Sequence, residues 1–241
     1  MKHRLLSVAA GLAALIIGHV AVAADETPVL TDISISNAYI PLGFDANDHS
    51  QLVIAGSLPN SCFRIAPASA VVNKRNKTIV IHQKAYVYRS YCLQMLIPYI
   101  ETVSVGILVP GKYQVFDGMT HKSLGGIDVE STTGTSQDAY LYLPLNDAYV
   151  QQDSDDDAAE LVMTGTYPDS CFTFKEALID YYSNLIQVRP VAEHVDSGTG
   201  CAPTPTPFTV KVPLRSDLSG TFLLHVRSLN GLSINKLTSL H

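Results

Sequence analysis

The chain has 241 residues, 46% of them apolar, with 16 Lys+Arg against 22 Asp+Glu and a formal net charge of −6. An acidic chain without clustered Lys and Arg is no nucleic-acid binder, since phosphate contacts need that clustering. The apolar fraction excludes a disordered chain, which cannot bury enough surface to offset its entropy.

The N-terminus opens with Lys2, His3 and Arg4, then an apolar stretch from Leu5 to Val22, closed by Ala21-Val22-Ala23-Ala24. Basic, apolar and small-residue zones in that order are what a secretory signal peptide needs. The expectation is a signal over residues 1–24, cleaved after Ala23 or Ala24. Gly11, Gly18 and His19 interrupt the stretch and argue against a retained anchor. No cysteine follows closely, so a lipid anchor is not expected. Losing Lys2 and Arg4 leaves 14 basic against 22 acidic side chains, a net charge of −8. The mature chain is expected to be exported to the periplasm or outside the cell, without membrane insertion.

From there the apolar period is two. Ile33 and Ile35 alternate with polar neighbours, then Leu52 and Ile54, a β-branched run Thr78–Ile81, Ala85 to Tyr88, and Val103, Val105 and Ile107. Turn signals separate them at Pro41-Leu42-Gly43, Pro59-Asn60, Asn73–Asn76 and Pro110-Gly111. The basic stretch Asn73–Lys77 reads as a solvated turn. Short alternating runs with this punctuation predict antiparallel strands of a sandwich or barrel.

A second copy follows. Gly56-Ser57-Leu58-Pro59-Asn60-Ser61-Cys62-Phe63 returns as Gly165-Thr166-Tyr167-Pro168-Asp169-Ser170-Cys171-Phe172. Cys62 and Cys171 are 109 positions apart, as are Cys92 and Cys201. Pro98-Tyr99 meets Pro207-Phe208 on the same register, and Gly111-Lys112-Tyr113 meets Gly220-Thr221-Phe222. A period of that size means two globular modules rather than a solenoid. The polar run Glu130–Asp138 reads as a flexible linker, dividing the chain into domains over 27–130 and 138–241. In the second copy Tyr140–Leu143, Val210, Val212, Leu214 and Leu223-Leu224 continue the strand pattern. The one helix-like stretch is Phe174–Asn184. The glycine and proline of the repeated phrase are expected to shape a turn at a strand end.

Leu108-Val109-Pro110-Gly111-Lys112-Tyr113-Gln114-Val115 resembles the L-x-P-G-x-Y-x-V ending of immunoglobulin-like and fibronectin-type modules of exported bacterial proteins. The resemblance implies a tyrosine corner, with the Tyr113 hydroxyl tied back to the turn backbone. The second copy has Phe222 there and lacks the hydroxyl. The fold class expected is all-β: two tandem immunoglobulin-like antiparallel β-sandwich domains, each with one internal disulfide. The resemblance carries no activity with it.

Four cysteines allow three pairings, and the repeat selects Cys62–Cys92 and Cys171–Cys201, each 30 residues apart. Closing a loop of that size removes roughly 3–4 kcal/mol of unfolded-chain entropy in the simple loop model. No C-x-x-C or C-x2–4-C pair suggests redox or zinc chemistry.

The remaining candidates are sparse. The acidic run at Asp153, Asp155 and Asp157 reads first as a solvated hairpin loop; its alternating carboxylates could also coordinate calcium. No other cofactor is expected. Tyr86 and Tyr88 share a strand face and Tyr91 precedes Cys92, but with no tryptophan in the chain a sugar platform is the lesser reading. Leu93, Met95 and Ile97 form an apolar run where the second copy has Ala202-Pro203-Thr204-Pro205-Thr206-Pro207. The run is either buried against the other sheet or an exposed ridge for a partner. Ser233-Ile234-Asn235-Lys236 matches S-x-x-K by chance, and the histidines are scattered. The function expected is a non-catalytic binding or structural module that engages another protein. Two rivals are a peptidase inhibitor presenting the disulfide-braced loop and an enzyme with a site at the domain junction.

Overall fold

The computed structural model describes residues 27–132, 138, 140–152, 159–196, 198 and 200–241. The signal segment, the acidic positions Asp153, Asp155 and Asp157, and linker residues 133–137 lie outside the described residues.

The first domain contains eleven strands: β1 (Val29–Asp32), β2 (Asn37–Tyr39), β3 (Phe44–Asp45), β4 (His49–Leu58), β5 (Phe63–Ile65), β6 (Ser69–Asn73), β7 (Thr78–His82), β8 (Lys84–Val87), β9 (Ile97–Ile107), β10 (Gly111–Asp117) and β11 (Ser123–Glu130). Two sheets, β2-β4-β9 and β3-β11-β10-β7-β6, face each other, and a small sheet β1-β8-β5 closes one end. Alternate residues of both large sheets point inward, as period-two strands require. They meet as Leu52, Ile54, Ile79, Ile81, Val103 and Val115 in one buried core.

The second domain repeats the plan with β12 (Leu145–Gln152), β13 (Ala159–Tyr167), β14 (Phe172–Tyr181), β15 (Leu185–His194), β16 (Thr206–Pro213), β17 (Gly220–Ser228) and β18 (Leu232–Leu240). Its sheets are β12-β13-β16 and β14-β15-β17-β18, packed over Leu161, Met163, Ile186, Val188, Leu224 and Val226. No α-helix occurs among the described residues. The chain is thus all-β, with two sandwich domains and one internal disulfide in each, Cys62–Cys92 and Cys171–Cys201.

Three pairings are parallel within this mostly antiparallel frame: β7 with β10, β15 with β17, and β3 with β11. A parallel neighbour needs a crossover connection. Here the chain leaves β7, crosses to β9 in the opposite sheet, and returns as β10; β15, β16 and β17 repeat the path. The stretch Phe174–Asn184 is a strand rather than a helix through Tyr181. A bulge between Phe174 and Glu176 shifts its register against β15. That bulge sets Phe174 and Ala177, three positions apart, on the same face as Ile179 and Tyr181, so one helix-like interval sits in an extended backbone.

The two domains pack face to face. Tyr39, Val53 and Ala55 on the outer face of the β2-β4-β9 sheet share a buried cluster with Leu185 and Leu223 on the outer face of the β14-β15-β17-β18 sheet. The Leu42 amide donates to Gln187 Oε1 at 2.8 Å, and Gln187 Nε2 donates to the Leu42 carbonyl at 2.9 Å. Gln51 Nε2 donates to Ser233 Oγ at 2.7 Å, and Asn235 Nδ2 donates to Thr102 Oγ1 at 3.2 Å. At one end Arg227 pairs with Asp48.

Candidate functional site

The repeated phrase builds the same corner twice. The Asn60 side chain accepts from the Cys62 amide at 3.0 Å, as Asp169 does from Cys171 at 2.9 Å. The Ser61 amide donates to the Leu93 carbonyl at 3.1 Å, while Ser61 Oγ accepts from the Leu93 amide at 2.8 Å. Ser170 and Ala202 repeat that reciprocal pair at 3.1 and 3.0 Å. The serine therefore clamps the residue after the second cysteine, and the disulfide closes beside it. Each serine hydroxyl serves that clamp as an acceptor.

Gly56 and Gly165 are not turn residues. They lie within β4 and β13, opposite Tyr99 and Phe208. A Cβ on Gly56 would stand 2.6 Å from Tyr99 Oη, and one on Gly165 would stand 2.6 Å from the Phe208 ring. Each glycine is the space into which the aromatic of the facing strand lies, so two separately repeated motifs are one contact. Tyr113 forms the expected corner: its hydroxyl donates to the Val109 carbonyl at 3.2 Å. Lys77 Nζ donates to the Pro110 carbonyl at 2.8 Å and lies over the Tyr113 ring.

At the disulfide end of the first domain the side chains are exposed. Tyr91 is fully solvated, Leu93 is 69% exposed, Met95 53% and Leu96 70%. Ile97 begins β9 and turns inward against Ile33, Leu58, Ala85 and Tyr99. The expected ridge of Leu93, Met95 and Ile97 is therefore carried by Leu93, Met95 and Leu96, with Tyr91 at its tip. Beside it a recess of about 420 Å³ is lined by Ser61, Cys62, Arg64, Tyr88, Ser90 and Tyr91. Arg64 Nη1 donates to the carbonyls of Ser61 and Phe63, both at 3.2 Å, which pins the guanidinium at the rim.

The same end of the second domain is polar. Asp169 Oδ2 lies 3.3 Å from His194 Nε2, and the residues after Cys201 are exposed prolines and threonines. Asp169, Cys171, His194 and Cys201 lie close together, but both sulfurs are in the disulfide, leaving one carboxylate and one imidazole to offer a metal.

The domain junction holds several titratable groups, and His225 Nε2 and Asp138 Oδ1 are buried there without a hydrogen-bond partner among the described residues. His225 is fully buried, its Nδ1 is 2.7 Å from Asn235 Oδ1, and burial pushes its pKa down to about 4. Asp138 Oδ2 accepts from the Gly231 amide at 3.3 Å, and burial raises its pKa. Within the S-x-x-K match, Ser233 Oγ accepts from Gln51 and Asn235, and Lys236 pairs with Asp147. Sequence reasoning assigned no residue to the junction and did not single out Arg64.

A family model described as the ORF11 beta-sandwich domain matches residues 52–118, a stretch that runs from β4 into the turn after β10 and includes the exposed ridge. No curated protein matches the chain, and no solved structure matches it.

Proposed function

We propose that the chain is an exported, non-catalytic binding or structural module that engages another protein through the disulfide end of its first domain. The observation that carries this is the ridge Tyr91, Leu93, Met95 and Leu96, solvent-exposed on a segment fixed by the Cys62–Cys92 bond and the Ser61 clamp. Tyr, Met and Arg with few acidic neighbours is the composition enriched at the centres of protein interfaces. Holding the segment rigid lowers the entropy lost on binding. The Tyr113–Val109 bond and the two-sheet plan support an immunoglobulin-like module. The burial of His225 and the pairing of Ser233 and Lys236 support a non-catalytic reading.

A photo-crosslinking side chain at Met95, with the same group at Thr204 as control, tests the reading in envelope extracts and in the purified protein. Polypeptide adducts at Met95 and none at Thr204, unless Thr204 is itself bound by a Met95 surface, agree with it. No polypeptide adduct at Met95 in either setting removes it.

A further inference from the structure

The two disulfide ends share a backbone frame, so each checks the other position by position. Arg64 pairs with Tyr86 across the β5–β8 ladder, and Thr173 pairs with Glu193 across β14–β15. The Tyr88 amide donates to the Cys62 carbonyl, and the Val195 amide donates to the Cys171 carbonyl, both at 3.0 Å. Those bonds equate Arg64, Tyr86, Tyr88 and Arg89 with Thr173, Glu193, Val195 and Asp196. Arg64 and Arg89 of the first end stand where the second has Thr173 and Asp196, and Glu193 stands where the first has Tyr86. No Asp or Glu occurs between Asp48 and Glu101, although the whole chain is acidic.

The segments after the disulfide are complementary in a second way. Ala202 to Pro207 is exposed throughout, with proline at every other position. The Thr204 amide donates to the Ala202 carbonyl at 2.7 Å, which turns the chain tightly at Pro203, and Thr206 and Pro207 pair in β16 with Tyr167 and Thr166. Pro-rich segments, stiffened by their fixed φ, dock on aromatic-lined grooves. Tyr88 and Tyr91 line such a recess at the first end. Arg64 uses Nη1 on backbone carbonyls, leaving its Nε and Nη2 edge to face a carboxylate as a fork. Glu193 makes no ion pair among the described residues.

The ends also point apart. Along β4 the junction runs from Asp48, against Arg227, to Val53 and Ala55, clustered with Leu223 and Leu185. Continuing past Ala55 reaches Cys62; on β15 the opposite direction, from Leu185, reaches His194 and the second disulfide. One end of a molecule therefore cannot fold back onto its own other end.

We infer that the first disulfide end binds the second disulfide end of another copy of this chain, joining molecules head to tail. Tyr88 and Tyr91 receive the exposed Pro203–Pro205 stretch that leads into β16, and Arg64 faces Glu193. The inference rests on the protein-binding reading and names its partner. A two-fold dimer of first ends would set arginine against arginine. A heterologous contact between opposite ends instead leaves a free end on each assembly, so growth continues.

Sedimentation velocity of the intact, disulfide-bonded chain tests this. The expected result is an average mass that rises past the dimer with concentration. Arg64→Glu alone and Glu193→Arg alone each weaken association on the order of tenfold or more, and mixing the two variants restores it. The Met95 crosslinker should give an adduct of two chains, joined to a peptide spanning Ala202–Pro207. A monomer at every concentration, a closed dimer, or association indifferent to both reversals overturns the inference. So does a mixture that fails to recover while each variant keeps the melting temperature of the parent. An adduct at Met95 to a different polypeptide alone overturns head-to-tail assembly and leaves the protein-binding reading standing.

Discussion

Arg227 of the second domain donates both terminal nitrogens to Asp48 of the first, Nη1 to Oδ1 at 3.1 Å and Nη2 to Oδ2 at 3.2 Å. The side chains are 10% and 8% exposed. Arg227 Nη2 also donates to the Gly43 carbonyl, the guanidinium lies over the Phe44 ring, and Asp48 Oδ2 accepts from the Asp45 amide. Desolvating two charges costs about as much as their attraction returns, so the pair fixes geometry more than it adds stability. Removing one partner strands the other. Asp48→Ala should destabilise the chain by about 3–5 kcal/mol in urea unfolding. Asp48→Leu with Arg227→Met should recover most of that loss; a double variant as weak as the single one would contradict the account.

His225 makes the same junction sensitive to acid. Burial is the main cause of its lowered pKa of about 4, with Arg227 adding to it and the Asn235 hydrogen bond opposing it. In the unfolded chain an imidazole titrates near 6.5. Between those values the unfolded state binds more protons, so stability is fully present above about pH 6.5 and falls as pH drops toward 4. The loss attributable to this residue is of order 2–4 kcal/mol across that window. His225→Gln should flatten the pH dependence of the melting temperature between pH 7 and 5; an unchanged slope would assign the acid response elsewhere.

The Tyr113 corner should be measurable separately. Its hydroxyl is shared between the Val109 carbonyl and Lys77 Nζ, at 3.2 and 3.4 Å, under a ring that is almost wholly buried. Tyr113→Phe keeps the ring and leaves the carbonyl with one donor fewer, for a cost of about 1 kcal/mol. The second domain already carries Phe222 at this place, so its corner stands without that bond. A loss of several kcal/mol would mean the ring itself had been displaced.

The period-two runs and the cysteine spacing were enough to reach two sandwich domains with one staple each. The packing of the domains against each other was harder to see, although a trace exists. Leu52 to Ala55 and Phe222 to Ser228 are buried without interruption, which happens when both faces of a strand are covered. In the sequence His225 and Arg227 break that run with polar letters, and the partners that receive them, Asn235 for one and Asp48 with the Gly43 carbonyl for the other, lie far away along the chain or in another strand. Nothing in the residues beside Asp48 marks it for burial. At the ridge, Leu93 to Ile97 is apolar almost throughout, and sequence cannot say which residue turns inward until the start of β9 is known. Arg64 and Arg89 draw meaning from their ladder neighbours, which no local pattern shows. The bulge in β14 hid a strand by placing Phe174 and Ala177, three positions apart, on one face.

The repeated glycine provides a last test, because the two copies should answer differently. Gly56 and Gly165 occupy equivalent ladder positions, each beneath an aromatic ring of the facing strand. At Gly56 the three atoms nearest an added Cβ all belong to the Tyr99 side chain, whose hydroxyl donates to the Ser34 carbonyl at 3.1 Å. That ring can shift, at the cost of its hydrogen bond and some packing against Leu58 and Ala85. At Gly165 the nearest atom is the Pro144 backbone carbonyl oxygen, closer than the Phe208 ring, and that carbonyl also accepts from the Thr166 amide. Backbone held between two strands cannot rotate away, so overpacking there displaces the chain entering β12. Overpacking a buried site typically costs about 1–3 kcal/mol. Gly56→Ala is expected at the lower end of that range and Gly165→Ala at or beyond the upper end, read as shifts in urea midpoint with unchanged slope. Equal losses would mean that the aromatic ring, and not the backbone behind it, sets the requirement for glycine in both copies.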